Sequence, residues 1–307
     1  MSTGRRQHTI PKFYLEQFFP GWCYRRGAKS PRYHRKAKDV AVQIDYYGRP
    51  DDDLKMLDRM NSFIENEAAP VLQRLVHDTT SITWNDWVTV SHYFANMYVR
   101  TPAFMEYMVQ YFQKMTEELN QMARRIVSAL EKAEVEGKNI PAPDMFPDDS
   151  PRFTSDEWNK WAEELETEQG RLSMAAAFYG NMKDIAKCIQ RMSLSVLNTP
   201  SRLFFVTTDM PLILLSTSSD STLGVGWGNA DAFAIHPLGP KHFMAMFYAA
   251  GQATIGEKEL SAGEVHFLNS EMMKYANREI YSKYPHDMAL DWMYRRRQWA
   301  PPKNVKR

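Results

Sequence analysis

Between residues 57 and 75 the apolar side chains return every three or four positions: Leu57, Met60, Ile64, Ala68, Val71, Leu72 and Leu75. That spacing places them on one face of an α-helix. Asp51-Asp52-Asp53 predicts where this helix opens, because acids suit the positive end of its dipole. A second amphipathic run spans about Trp84 to Arg100 and is interrupted by Thr101-Pro102. Pro102 suits the first turn of a further helix reaching about Glu136. In that helix Met108, Phe112, Met115, Leu119, Met122 and Ile126 follow a 4-3-4-3-4 spacing, the seam of an antiparallel helix pair or a coiled coil. At 1.5 Å per residue it would be roughly 52 Å long. The seam is expected to pack within the chain or to join a homodimer.

On either side of these helices the pattern is different. Pro11 opens a short helix with Tyr14, Leu15, Phe18 and Phe19 as its apolar face, and Pro20-Gly21 closes it. Residues 22–48 read as irregular or β, with Val40 to Tyr47 the best strand. Four prolines make 137–153 a linker. Thr154 and Glu157 then begin helices that continue to about Asn198, and Ser261 with Glu264 begins a last helix to about Lys283. Between them, Leu203 to Thr207, Leu212 to Ser216, Ala232 to Ile235 and Phe243 to Tyr248 are short β-prone runs. The expectation is an α+β fold, mostly helical, with a small and mainly antiparallel sheet in the C-terminal third. Residues 1–294 would form one domain, helical over about 51–198 and strand-rich over about 200–285, followed by a basic tail, 295–307.

Composition narrows the class. With 307 residues, 44% hydrophobic and 24% charged, the chain is that of an ordinary globular protein and can bury a large core without metal or disulfide. Cys23 and Cys188 are its only cysteines, so a disulfide scaffold and a zinc finger are not expected and a reducing compartment is. The longest apolar stretch, Phe243 to Gly251, is far below the roughly 20 residues of a membrane span. No apolar segment follows the basic N-terminus as a secretory signal requires. A soluble, cytoplasmic protein without a membrane partner is the expectation.

The net charge of +1 conceals a segregation. The first 38 residues carry ten Lys or Arg against Glu16 alone, and the tail from Arg295 carries six against none. Aromatic residues interleave with the N-terminal group, so Arg5, Arg6, Lys12, Arg25, Arg26, Arg295, Arg296 and Arg297 are candidates for contact with nucleic acid or a nucleotide. The alternative is that both ends fold back on the acidic middle of the chain. No Gly-x-Gly-x-x-Gly, phosphate-loop, His-Glu-x-x-His or Gly-x-Ser-x-Gly motif occurs.

Several short motifs occur in a telling order. Gln7-His8-Thr9-Ile10-Pro11-Lys12-Phe13-Tyr14-Leu15-Glu16-Gln17-Phe18, Ile64 to Pro70, Arg100-Thr101-Pro102, Thr207-Thr208-Asp209-Met210-Pro211, His236-Pro237-Leu238 and Phe267-Leu268-Asn269 together resemble a bacterial family called domain of unknown function 4238. The resemblance spans roughly residues 7–285. Met210 stands where the family pattern has Asn, and the basic tail is outside the pattern. The resemblance implies an accessory protein of bacteria, with a role in phage defence or stress.

Five polar landmarks remain. His8 could serve as a general base or a metal ligand, or cap a turn. Glu65 borders the apolar stripe of its helix and so is expected to be paired or functional. Arg100 could pair with Glu65, clamp a phosphate, or answer the helix dipole. Asp209 could form an Asx-turn or act in a site. Asn269 interrupts an apolar stripe and must hydrogen-bond something, such as a loop backbone. Together the five could form a catalytic set, with a divalent metal on His8, Glu65 and Asp209. The leading expectation is a hydrolase acting on nucleic acid or nucleotides, nuclease- or glycosylase-like. The alternative is a non-enzymatic interaction or sensor module whose landmarks are structural.

Overall fold

A computed structural model of the chain describes residues 6–44, 55–101, 182–200, 202–218, 226–249 and 254–294, together with the helical positions 104, 121 and 125. The chain divides into two compact units, Met1–Ala103 with Asn181–Arg307, and Phe104–Gly180. The elements below belong to the first. The Met108–Ile126 seam, the 137–153 linker, the helix expected from Thr154, Asp51 to Asp53 and the basic tail lie outside the described residues.

Two helices follow the hydrophobic pattern closely. Helix α2 (Lys55–His77) buries Ala68, Val71, Leu72 and Leu75, and α3 (Trp84–Val99) buries Trp87, Val90, Phe94 and Met97. Thr83 caps α3 in a reciprocal box with Asp86, satisfying backbone donors that the first helical turn cannot pair internally. The short α1 (Lys12–Leu15) begins after Pro11, as the sequence implies, and α4 (Met182–Gln190) packs along α3. In this first unit α5 (Ala262–Tyr275) and α6 (Asp287–Tyr294) follow among the described residues.

The strands correct the expected architecture. Eleven occur among the described residues, in three sheets that draw on the chain from Arg6 to Ser282, not in one small C-terminal sheet. Strands β1 (Arg6–His8) and β4 (Val42–Ile44) form an antiparallel pair. A five-stranded sheet has the order β10 (Ile255–Glu259), β5 (Ser193–Asn198), β9 (His242–Phe247), β8 (Ala232–Pro237), β7 (Ile213–Ser216), antiparallel except for the parallel pair β10–β5. A four-stranded antiparallel sheet has the order β3 (Arg32–Arg35), β2 (Gly21–Arg25), β11 (Glu279–Ser282), β6 (Thr207–Thr208). Ser193–Asn198 is therefore a strand and not a helix end, because its side chains are divided between two buried faces. Helix α5 likewise stops at Tyr275 instead of Lys283, and the residues beyond it become β11.

The five-stranded sheet is the wall between two cores, and the period of two along each strand supplies both. Leu194, Val196, Leu214, Ala234, Met244 and Met246 face the core built by α1 to α4. Leu197, Ile213, Leu215, Ile235 and Phe243 face the second core, with Val265, Met272 and Met273 of α5, Ala289 and Met293 of α6, and Tyr24 and Ile280 of the four-stranded sheet. Gly21 marks where α1 meets that sheet: a Cβ there would overlap the carbonyl oxygens of Phe18 and Ser282.

Candidate functional site

Helices α2 and α3 form an antiparallel hairpin through a turn of 3-10 helix at Thr79–Ser81, so the start of α2 lies beside the end of α3. This places Glu65 next to Arg100, the residue capping the C-terminus of α3. Arg100 is 3% exposed. Its Nη1 donates to Glu65 Oε1, and its Nη2 donates to the His8 backbone carbonyl at 2.6 Å. The structure thus brings three of the five landmarks together, with His8 contributing its carbonyl to the guanidinium. The same helix pair holds Asn61, Tyr93 and Asn96, which sequence reasoning did not single out. They are buried, and the amides of both asparagines and the Tyr93 hydroxyl make no hydrogen bond among the described residues. Burial, with the charge of Glu65 and the Tyr14 phenol nearby, holds the Tyr93 hydroxyl well above its ordinary pKa.

Asp209 and Asn269 serve other parts of the fold. The two oxygens of Asp209 accept the backbone N–H groups of Asn277 (2.9 Å) and Arg278 (2.6 Å), and its own N–H donates to the Glu279 carbonyl (3.0 Å). It therefore anchors the turn between α5 and β11. Burial pushes its carboxyl up to about 7, against the opposing pull of those N–H donors. Asn269, 1% exposed, accepts from Val206 N–H (3.0 Å) and donates to the Phe204 carbonyl (2.9 Å). This is the loop-backbone role that its place in an apolar stripe suggested. Among the described residues no group of three or more His, Cys, Asp or Glu is arranged to hold a metal ion, and that includes His8, Glu65 and Asp209.

The basic candidates are differently engaged. Arg25 pairs with the largely buried Glu279, whose hydrogen bond and charge raise the Arg25 pKa. The Arg26 guanidinium lies over the Trp292 ring, 4.3 Å from its centre, a cation–π contact. Lys12 is exposed and lies 3.4 Å from Glu16. Arg6 pairs through its backbone with Ile44 in the β1–β4 ladder. Arg5, Arg295, Arg296 and Arg297 lie outside the described residues.

A cavity of about 410 Å³ opens between α1, the second half of α2, the β8–β9 turn and the end of β11. That volume is within the range of small-molecule sites. Lys241, Lys283, His77 and His242 line it, and Glu16 is the acid among its lining residues. Lys241 Nζ donates to the Leu203 carbonyl at 2.8 Å and sits 3.9 Å from the centre of the Phe204 ring. Desolvation lowers its pKa. His242 is also lowered, first by burial and then by His77, while Glu257 pulls the other way.

The inner end of this cavity is a polar junction. His236 is fully buried, stacked on Tyr14 with ring centres 4.9 Å apart and edged by Phe94 at 5.3 Å. Its Nδ1 lies 2.8 Å from the Pro211 carbonyl. A carbonyl only accepts, so Nδ1 carries the proton and Nε2 is left as an acceptor. Nε2 has no hydrogen-bond partner among the described residues. Burial lowers the imidazole to about pKa 4, so it is neutral near pH 7. The Tyr14 hydroxyl and Thr207 Oγ1 share a 2.6 Å hydrogen bond.

The cavity was harder to foresee than the landmarks. His236-Pro237-Leu238 is visible as a turn, yet Lys241, Lys283 and Tyr284 belong to no motif and reach the cavity only through the tertiary fold.

No curated protein and no solved structure matches the chain. A family model described as "Protein of unknown function (DUF4238)" matches residues 6–286. That match takes in the α1 segment, the Glu65–Arg100 pair, the Thr207–Pro211 segment and the whole cavity lining, and by it the chain belongs to this family.

Proposed function

We propose that the protein is a binding module for a phosphate-bearing small molecule, held in the cavity between α1, α2 and the β8–β9 turn. The observation that carries this reading is the charge of the lining: Lys241 and Lys283 line the cavity, with Glu16 the acid among its lining residues. Low-dielectric walls strengthen the field of such a cluster, which favours an anion. The landmark residues support the same reading, since Arg100, Asp209 and Asn269 spend their hydrogen bonds on other parts of the chain. Such a module suits the cytoplasm, where Cys23 and Cys188, both free, stay reduced.

One observation favours a second reading, hydrolysis of the bound molecule. His236 is among the lining residues, and the Pro211 carbonyl fixes its ring with Nε2, a buried atom, unprotonated, the tautomer a general base requires. Calorimetric titration of the full chain with inorganic triphosphate and nucleotides, followed by chromatography of the mixture, tests both readings. Saturable binding with intact ligand is expected for the module, and product formation would instead establish the hydrolase. Absence of binding by every phosphate ligand would end both readings.

A further inference from the structure

A pair of aromatic rings in the cavity lining bears on what else the ligand contains. Phe204 and Tyr284 both line the cavity, and their ring centres are 4.0 Å apart. Lys241 Nζ lies 3.9 Å from the centre of the same Phe204 ring. Lys241 and Tyr284 thus both pack against the Phe204 ring. Tyr284 itself is 44% exposed, which leaves part of the residue open to a partner. An exposed aromatic ring already packed against a neighbour loses little conformational freedom when another ring stacks on it. Lys283 precedes it in the chain and lines the same cavity.

We infer that the ligand is a nucleotide whose base stacks on Tyr284 while its phosphates enter toward Lys283, His77 and His242. This rests on the reading of the cavity as an anion site and adds a planar ring to the phosphate. A bare phosphate compound would use the cations and leave the aromatic layer idle. Any of the four common bases offers the required π-face, since stacking is tolerant of base identity.

The test compares the four nucleoside triphosphates with inorganic triphosphate on the full chain, its Tyr284→Ala and Tyr284→Phe variants, and Lys283→Ala. Tyr284 is at the surface, so its replacement leaves the cores unchanged. The inference expects at least one nucleoside triphosphate to bind roughly tenfold more tightly than inorganic triphosphate, within the range for stacking of one base. Tyr284→Ala removes that advantage and leaves inorganic triphosphate unaffected, and Tyr284→Phe retains it. Lys283→Ala weakens both ligand types. Equal affinity for nucleotides and inorganic triphosphate, with Tyr284→Ala indifferent, would overturn the nucleotide and leave the anion site standing. If no phosphate ligand binds the unaltered chain, the anion site falls and this inference with it.

Discussion

Arg100 is the side chain through which Glu65 of α2 is tied to the N-terminal strand: one guanidinium nitrogen donates to the Glu65 carboxylate and another to the His8 carbonyl. The arginine is 3% exposed and the glutamate side chain 19%, so the pair sits where water screens it little. Removing one partner of such a pair leaves the other charge poorly screened and short of its counter-charge. The two residues are consequently coupled, and their losses do not add.

Glu65→Leu is expected to destabilise the protein by about 3–5 kcal/mol, the usual cost of stranding one buried charge. Glu65→Leu combined with Arg100→Met is expected to cost less than the two single changes added together. Denaturant unfolding of the four proteins in this cycle measures the coupling. Strict additivity would mean that the pair does not act as a unit.

The helical half of this arrangement is legible in the sequence, and the reason is locality. The 3- and 4-residue spacing of α2, the Ser261–Glu264 capping box of α5 and the border position of Glu65 are all set within a few turns. Strands β2 and β11 are different. Their Arg25–Glu279 pair spans 254 residues, and neither strand shows the alternation that would announce it. β2 runs Gly-Trp-Cys-Tyr-Arg, with its interior cysteine and tyrosine serving opposite cores. The Thr207 to Pro211 motif stands between these cases. Its residues are conspicuous in the sequence, but only the fold shows that Thr207 meets Tyr14, Asp209 holds the 277–278 turn, and the Pro211 carbonyl fixes His236. The cavity was not legible, because Lys241, His77 and Lys283 come from three separate segments.

Asn269 offers a prediction about the loop before β6. Its amide satisfies one donor and one acceptor of the Phe204–Val206 backbone. Asn269→Leu fills similar space but orphans both groups, and each buried orphan costs about 1–3 kcal/mol. A lowered Tm and faster amide hydrogen exchange at Val206 are the expected outcomes. Unchanged exchange at Val206 would show that the side chain does not hold that backbone.

Asp209→Asn is expected to destabilise the fold, not merely to neutralise a charge. Both carboxyl oxygens accept backbone N–H groups, and an amide can offer only one oxygen, so about 1–3 kcal/mol is lost. The size of the loss should depend on pH. A carboxyl raised from about 3.9 unfolded to about 7 folded contributes stability that is full below the unfolded value and lost as pH rises through 7. The penalty of Asp209→Asn is therefore greater at pH 5 than at pH 8. Unfolding curves at those two values check the sign.

His236 carries the opposite dependence. Its imidazole is neutral in the fold, with a pKa lowered to about 4 by burial, against roughly 6.5 in the unfolded chain. A depressed histidine contributes stability that is present above the unfolded pKa and lost as pH falls through the folded one. Over that window the loss is about 3 kcal/mol at 1.36 kcal/mol per pKa unit. His236→Phe keeps a ring against Tyr14 and Phe94 but removes both the titration and the hydrogen bond to the Pro211 carbonyl. At pH 7.5 the variant is therefore expected to be less stable than the unaltered protein by about 1–3 kcal/mol, the cost of the orphaned carbonyl. By pH 4.5 the unaltered protein has lost most of its histidine contribution, so the gap narrows or reverses. Guanidinium unfolding of both proteins at the two pH values gives the difference directly, and contributions from Asp209 and the other carboxyls cancel in it. A gap that is the same at both pH values would mean that His236 titrates alike in the folded and unfolded chains, and that its burial against Tyr14 does not hold it neutral.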